Sequence, residues 1–164
     1  MESEVKKFTH FNNKGLPRMV DVSAKSITTR TARARGYVDM SETTKNMIIQ
    51  GRGKKGDVLA TAQIAGIMGA KKTSELIPMC HSLNITSVNL EFWWDSKLSR
   101  LWIESEVKID AKTGVEMEAL TAISIAQLTV YDMCKAVDRG MVLGEIKLMF
   151  KDGGKSGKFE RKNW

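Results

Sequence analysis

The chain has 164 residues, 26 Lys+Arg against 19 Asp+Glu and a net charge of +7, which is enough for one well-packed domain and short for two. No stretch reaches the unbroken apolar length of a membrane span, and residues 1–30 lack the apolar run of a secretory signal, so a cytoplasmic protein, or an organelle-matrix product in mature form, with no membrane partner is expected. Cys80 and Cys134 stand alone, which argues against a zinc clip or a disulfide framework, while the excess of cations points to a polyanionic partner, either nucleic acid or a small phosphorylated ligand.

Residues 1–29 have no clear period and read as an N-terminal arm. From residue 30 to 40 the pattern alternates, Ala32, Ala34, Val38 and Met40 against Arg33, Arg35, Tyr37 and Asp39, which predicts a half-buried strand. Ser41 is an N-cap for a short helix through Gln50, with Gly51 closing it in the left-handed region. Asp57 then caps a second helix, Val58 to Lys72, whose cations sit in the last turn where the helix dipole favours them. Val88, Leu90, Phe92 and Trp94 share one strand face. A polar turn near Lys97 leads to a partner strand carrying Leu101, Ile103, Val107 and Ile109.

Val115 to Val137 is nearly all apolar or small and lacks Gly and Pro, so it reads as one long buried helix. Glu116, Glu118, Asp132 and Lys135 sit inside it. At about 100° per residue, Glu118 and Asp132 fall within roughly 40° of each other and Lys135 roughly 60° further round. Such an edge is either an internal ion pair between Asp132 and Lys135 or part of a working site. A final strand brings Ile146, Leu148 and Phe150 inward. This order predicts an α+β fold of the ferredoxin-like split β-α-β type, an antiparallel sheet with helices packed on one face. Residues 30–151 are expected to form a single ferredoxin-like domain, and residues 152–164 a C-terminal Gly/Lys-rich loop and tail. Trp93 and Tyr37 point to the uncovered sheet face, which suggests an oligomer contact.

Three short motifs invite chemistry. KDGGKSGK, Lys151 to Lys158, fails as a phosphate loop, because Met149 stands where the first Gly is required and no helix follows. It remains either an anion-wrapping Gly loop or a solvated tail. Lys54-Lys55-Gly56-Asp57 precedes a helix N-terminus and could face an anion. His81 lies at an element boundary beside Cys80, but neighbours in an extended chain point to opposite sides, so a Cys-His nucleophile pair is not expected.

Taken in register, MVDVSAK (Met19 to Lys25), KKGDVLATAQIAGIMGAKKTSELIPMCH (Lys54 to His81), TGVEMEALTA (Thr113 to Ala122), YDMCKAVDRGM (Tyr131 to Met141) and GGKSG (Gly153 to Gly157) resemble the MoaC-type cyclic pyranopterin monophosphate synthases of molybdenum-cofactor biosynthesis. The resemblance implies a lyase that converts a 3′,8-cyclised dihydro-GTP to cyclic pyranopterin monophosphate and pyrophosphate. It also implies a homo-hexamer, a trimer of dimers, with sites at a dimer interface. By position, Asp132, Lys135 and Lys55 match catalytic residues. Met79, Cys80, His81, Met117 and Glu118 match substrate contacts, and Glu116 a neighbouring acid. Lys25, Arg30, Lys151 and Lys155 fall where triphosphate-binding cations belong. Ser82 stands where many members carry Pro. No protein-held metal is implied, although Mg²⁺ can travel with the triphosphate. A small triphosphate accounts for dispersed cations better than a nucleic-acid groove, and the RNA-recognition consensus is absent from residues 83–110.

Overall fold

The computed structural model describes residues 14–51 and 56–164. In chain order the elements are β1 (Thr28–Asp39), α1 (Glu42–Ile49), α2 (Val58–Lys71), α3 (Thr73–Leu76), β2 (Ser87–Trp94), β3 (Arg100–Ala111), α4 (Glu116–Cys134), β4 (Val142–Leu143), β5 (Lys147–Asp152) and β6 (Phe159–Glu160). The sheet order is β2-β3-β1-β5-β6, with the short β4 also paired to β1. Every pairing is antiparallel, so β1 and β2 run parallel with β3 inserted between them. This is the ferredoxin-like split β-α-β arrangement.

Local chemistry sets the helix starts. Ser41 Oγ accepts from the Thr44 N–H, and Asp57 Oδ1 accepts from the N–H groups of Leu59 and Ala60 at 2.9 and 3.0 Å. Each satisfies donors that the first turn would otherwise leave open. In the β2–β3 turn, Asp95 Oδ1 accepts from the N–H groups of Lys97 and Leu98, and its Oδ2 takes the Trp102 indole N–H at 3.1 Å.

Strand alternation sends Ala32, Ala34 and Val38 of β1 and Leu101, Ile103 and Val107 of β3 under the helices, all fully buried. Ala119, Ala122, Ile123, Ala126 and Val130 of α4 meet them. Each large aliphatic side chain so buried contributes about 1.5–3 kcal/mol. The approach of α2 to α4 is set by two glycines. A methyl group at Gly66 would lie 3.0 Å from Ala122 O, and one at Gly69 would lie 2.9 Å from Ile125 Cβ. Gln127 is buried and donates its amide to Tyr37 O (2.9 Å) and Gly144 O (3.2 Å), which locks α4 to the sheet.

Two expectations need correction. The long helix is Glu116–Cys134, with Val115 and Lys135 as its caps, so it is shorter at both ends than the apolar run suggested. Phe150 does not point inward. The β1–β5 register shifts between Arg33 and Ala34, so that Ala34 faces Leu148 while Arg33 faces Phe150. Met149 is the extra residue of a bulge, and beyond it the alternation is inverted. Phe150 lies on the open face with the Arg33 guanidinium 4.7 Å from its ring centroid, and Lys151 is turned to the helix side.

Tyr37 and Trp93 lie on the open face as expected, and Trp102, not anticipated from the sequence, clusters with them. The Trp93 and Trp102 rings stack at 6.3 Å, and the Arg100 guanidinium sits 3.6 Å from the Tyr37 centroid while making a bidentate pair with Asp39. No described helix is long and apolar enough to cross a membrane.

Candidate active site

The N-terminus of α4 opens onto two adjoining cavities. Val115, its N-cap, offers no side-chain acceptor, and in the first turn the Glu118 carboxylate accepts from its own backbone N–H. The first cavity, about 540 Å³, lies between the start of β1, the β3–α4 turn and the β5–β6 loop. Its wall carries five cations, Lys25, Arg30, Lys112, Lys151 and Lys155, against only Glu116 and Asp152. That imbalance suits a polyanion.

Arg30 is the most unusual of these. It is 7% exposed, yet among the described residues its guanidinium is held by backbone carbonyls, with Nε donating to Ala111 O at 3.3 Å and Nη2 to Lys112 O at 3.5 Å. Among the described residues no carboxylate forms an ion pair with it. A buried cation without a counter-ion is costly unless a ligand supplies one. The β5–β6 loop lies directly on it. Gly153 and Gly154 have φ of 99° and 76°, and a side chain at either would overlap Thr29 O or Arg30 Nη1. Only glycine meets both demands, the left-handed backbone and the close approach.

Lys151 reaches the cavity because of the Met149 bulge. It pairs with Glu116 Oε1 at 3.0 Å and donates to Ser156 Oγ at 2.9 Å.

The second cavity, about 310 Å³, shares Lys25, Thr113, Gly114 and Glu116 with the first and adds Met79, Cys80, His81, Met117 and Glu118. Glu118 is 4% exposed, and burial, assisted by the charge of Glu116, pushes its pKa up to about 7. It is therefore poised between acid and base near neutral pH. Burial, and then the nearby Glu118, push the Cys80 thiol up as well, which disfavours a thiolate nucleophile. His81 Nε2 lies 2.8 Å from Val20 O; a carbonyl only accepts, so Nε2 carries a proton and donates it there.

All ten residues expected to contact substrate thus line these two cavities: Met79, Cys80, His81, Glu116, Met117, Glu118, Lys25, Arg30, Lys151 and Lys155. Two of the three expected catalytic residues, Asp132 and Lys135, are not with them. Asp132 and Lys135 form an i,i+3 pair at 2.7 Å, with side chains 58% and 52% exposed, at the far end of α4. Asp132 holds Lys135 above the usual lysine range. At about 1.5 Å per residue, Asp132 is roughly 21 Å along the axis from Glu118. The three share an angular edge, as the periodicity indicated, but within one chain they do not share a site. The Asp132–Lys135 ion pair is formed, but it is exposed and not internal. Lys55 lies outside the described residues.

Sequence reasoning missed Thr28, Thr31, Lys112 and Thr113 in the cavity walls. Among the described residues Thr28 Oγ1 is buried with no hydrogen-bond partner. Thr113 stood inside a motif already singled out. Nothing in the alternation of β1 distinguished Thr28.

The MoaC family model matches residues 19–154. The chain belongs to the MoaC family. Among curated relatives, the cyclic pyranopterin monophosphate synthases of Dinoroseobacter shibae and Syntrophomonas wolfei are each 60% identical, over 152 and 154 residues. These matches cover 93% and 94% of this chain and 96% and 98% of the relatives. The synthase of Halalkalibacterium halodurans is 55% identical over 156 residues, 94% of each chain. A solved structure described as AtUAH in complex with (S)-hydroxyglycine overlays with a TM-score of only 0.36 at 16% identity, covering 77% of this chain and 28% of that one, too distant to bear on the site.

Proposed function

We propose that the chain is a cyclic pyranopterin monophosphate synthase of molybdenum-cofactor biosynthesis. As such it converts (8S)-3′,8-cyclo-7,8-dihydroguanosine 5′-triphosphate to cyclic pyranopterin monophosphate and pyrophosphate. The observation that carries the reading is the joining of two unlike cavities at the α4 N-terminus. One is cationic and built on the uncompensated Arg30; the other is smaller and lined by Glu118 and His81.

In this reading the triphosphate lies against Arg30, Lys25, Lys151 and Lys155, and the base occupies the Glu118 cavity. Glu118, titrating near neutrality, exchanges protons with ring atoms as the purine is rebuilt. A ribose hydroxyl then attacks the α-phosphorus. A new O–P bond forms, the bond to the β-phosphate bridging oxygen breaks, the hydroxyl proton passes to a base, and pyrophosphate leaves. The cations stabilise the charge that develops on the leaving group. When the substrate arrives, its phosphates take Lys151 from Glu116 and supply the counter-ion that Arg30 lacks. Mg²⁺, where it takes part, is carried by the triphosphate.

Asp132 and Lys135, roughly 21 Å away along α4, act in a site completed by a second subunit, in a hexamer built as a trimer of dimers. Lys55 joins them there. Trp93, which stays exposed beside Trp102 on the open sheet face, supports such assembly. The reaction belongs to the cytoplasm. Incubating the protein with the cyclised GTP and measuring pyrophosphate tests the reading, and no release above a protein-free control overturns it.

A further inference from the structure

The last residues of the chain lie beyond those matched by the family model, yet they are tied to the phosphate cavity. β6 has only two residues, paired as Glu160 to Phe150 and Phe159 to Lys151. So short a strand has little stability of its own. It is extended by Arg161, whose backbone N–H donates to Met149 O at 2.8 Å and whose Nε donates to Leu148 O at 3.0 Å. It ends in Trp164. The indole meets Trp102 edge-on at 4.6 Å and Tyr37 at 6.1 Å, and Lys147 Nζ lies 4.8 Å from its centroid.

Trp164 thus fastens the far arm of a hairpin whose connection, residues 153–158, folds over Arg30. Within that connection Gly157 N–H donates to Gly154 O at 3.2 Å, and Ser156 Oγ accepts from Lys151. Three glycines with positive φ, Gly153, Gly154 and Gly157, leave this loop with few restraints from its own side chains. Its order therefore depends on both arms, and one arm is two residues long.

We infer that Trp164 is a positioning residue for the phosphate-binding loop, a staple on the open sheet face that holds the Gly153–Lys158 connection closed over Arg30 on the opposite side. This rests on the phosphate-site reading above. Trp164 touches no substrate. It acts by raising the fraction of chains whose loop is already in the binding conformation, and apparent affinity scales with that fraction.

The test uses three full-length proteins, wild type, Trp164→Ala and Trp164→Phe, titrated calorimetrically with pyrophosphate and followed by amide exchange. An aromatic contact of this kind corresponds to about a threefold to tenfold change in an equilibrium. Trp164→Ala should weaken pyrophosphate by about that factor and speed exchange at Gly153–Gly157 while leaving α2 and α4, on the other face of the sheet, unchanged. In turnover with the cyclised GTP it should raise KM by a similar factor and leave kcat within about twofold. Trp164→Phe should restore most of the loss. Wild-type binding matched by Trp164→Ala, with equal exchange in the loop, overturns the inference alone. A wild type that takes up no pyrophosphate overturns the phosphate site and this inference together.

Discussion

Glu118→Gln should give a protein that is more stable than wild type above neutral pH and yet nearly inactive. Glu118 is 4% exposed, and its pKa is raised from the usual 4.5 to about 7, first by burial and then by the charge of Glu116. Between those values the folded chain keeps a proton that the unfolded chain has released. Stability must therefore fall as pH rises through the window. The effect is absent below about pH 4.5 and complete above about pH 7. At about 1.36 kcal/mol per unit, the raised pKa corresponds to a loss of about 3 kcal/mol. That is an upper bound, because the carboxyl opens onto a cavity. Glutamine has nearly the shape of the protonated acid and does not titrate, so the variant should escape the loss. The assay is urea denaturation of both proteins at half-unit steps from about pH 4 to 8.5, with m-values compared to exclude a change in the unfolded state. The curves should coincide at low pH and separate by up to about 3 kcal/mol above neutrality, wild type being the weaker. Single-turnover rates should fall by about 10²–10⁴-fold in the variant, as for loss of a proton-transfer group. Parallel stability curves across the whole range would refute the argument, since Glu118 would then ionise as it does in the unfolded chain.

Asp132→Asn should leave the denaturation midpoint almost unmoved, because both members of its pair with Lys135 are more than half exposed, while turnover falls by about two orders of magnitude or more; a large stability loss with near-normal turnover would return the pair to a structural role. Lys155→Ala should mainly raise the half-saturating substrate concentration, whereas Lys135→Ala and Lys55→Ala should mainly lower kcat by about 10²–10⁴-fold. Equal losses in all three would mean that binding and chemistry have been mis-sorted. Gly154→Ala should weaken pyrophosphate binding by about tenfold or more, because the added methyl collides with Arg30 Nη1 at a φ of 76°; calorimetry showing unchanged affinity would dissociate the loop from the phosphate site. Mixing Lys55→Ala chains with Asp132→Ala chains should restore part of the activity if one site draws the two residues from different subunits, and no recovery on mixing would remove support for the shared site.

What could be read without coordinates was whatever depends on near neighbours in the chain. Ser41 and Asp57 cap their helices through hydrogen bonds to residues two or three positions on, so the capping signal carried its own geometry. The alternation in β1, β2 and β3 placed the inward faces correctly, because a strand's period is a property of its own backbone. Together with the order of elements this was enough for the split β-α-β topology, and the ordered motifs were enough for the family.

Quantities that depend on distant partners were not legible. The inversion at Met149 arises from the β1–β5 register, a relation between residues more than a hundred positions apart, so Phe150 was assigned the wrong face and the route of Lys151 into the cavity was hidden. The angular kinship of Glu118, Asp132 and Lys135 follows from helical period alone. Their separation along α4 also follows from residue count, but whether roughly 21 Å matters depends on where the cavity lies, and that is decided by the packing of β1, the β3–α4 turn and the β5–β6 loop. The excess of cations in the composition pointed to an anionic partner. Only the tertiary structure decided that Arg30 would be, among the described residues, a buried cation without a carboxylate partner, because a counter-ion is missing or present according to which side chains the fold brings within reach.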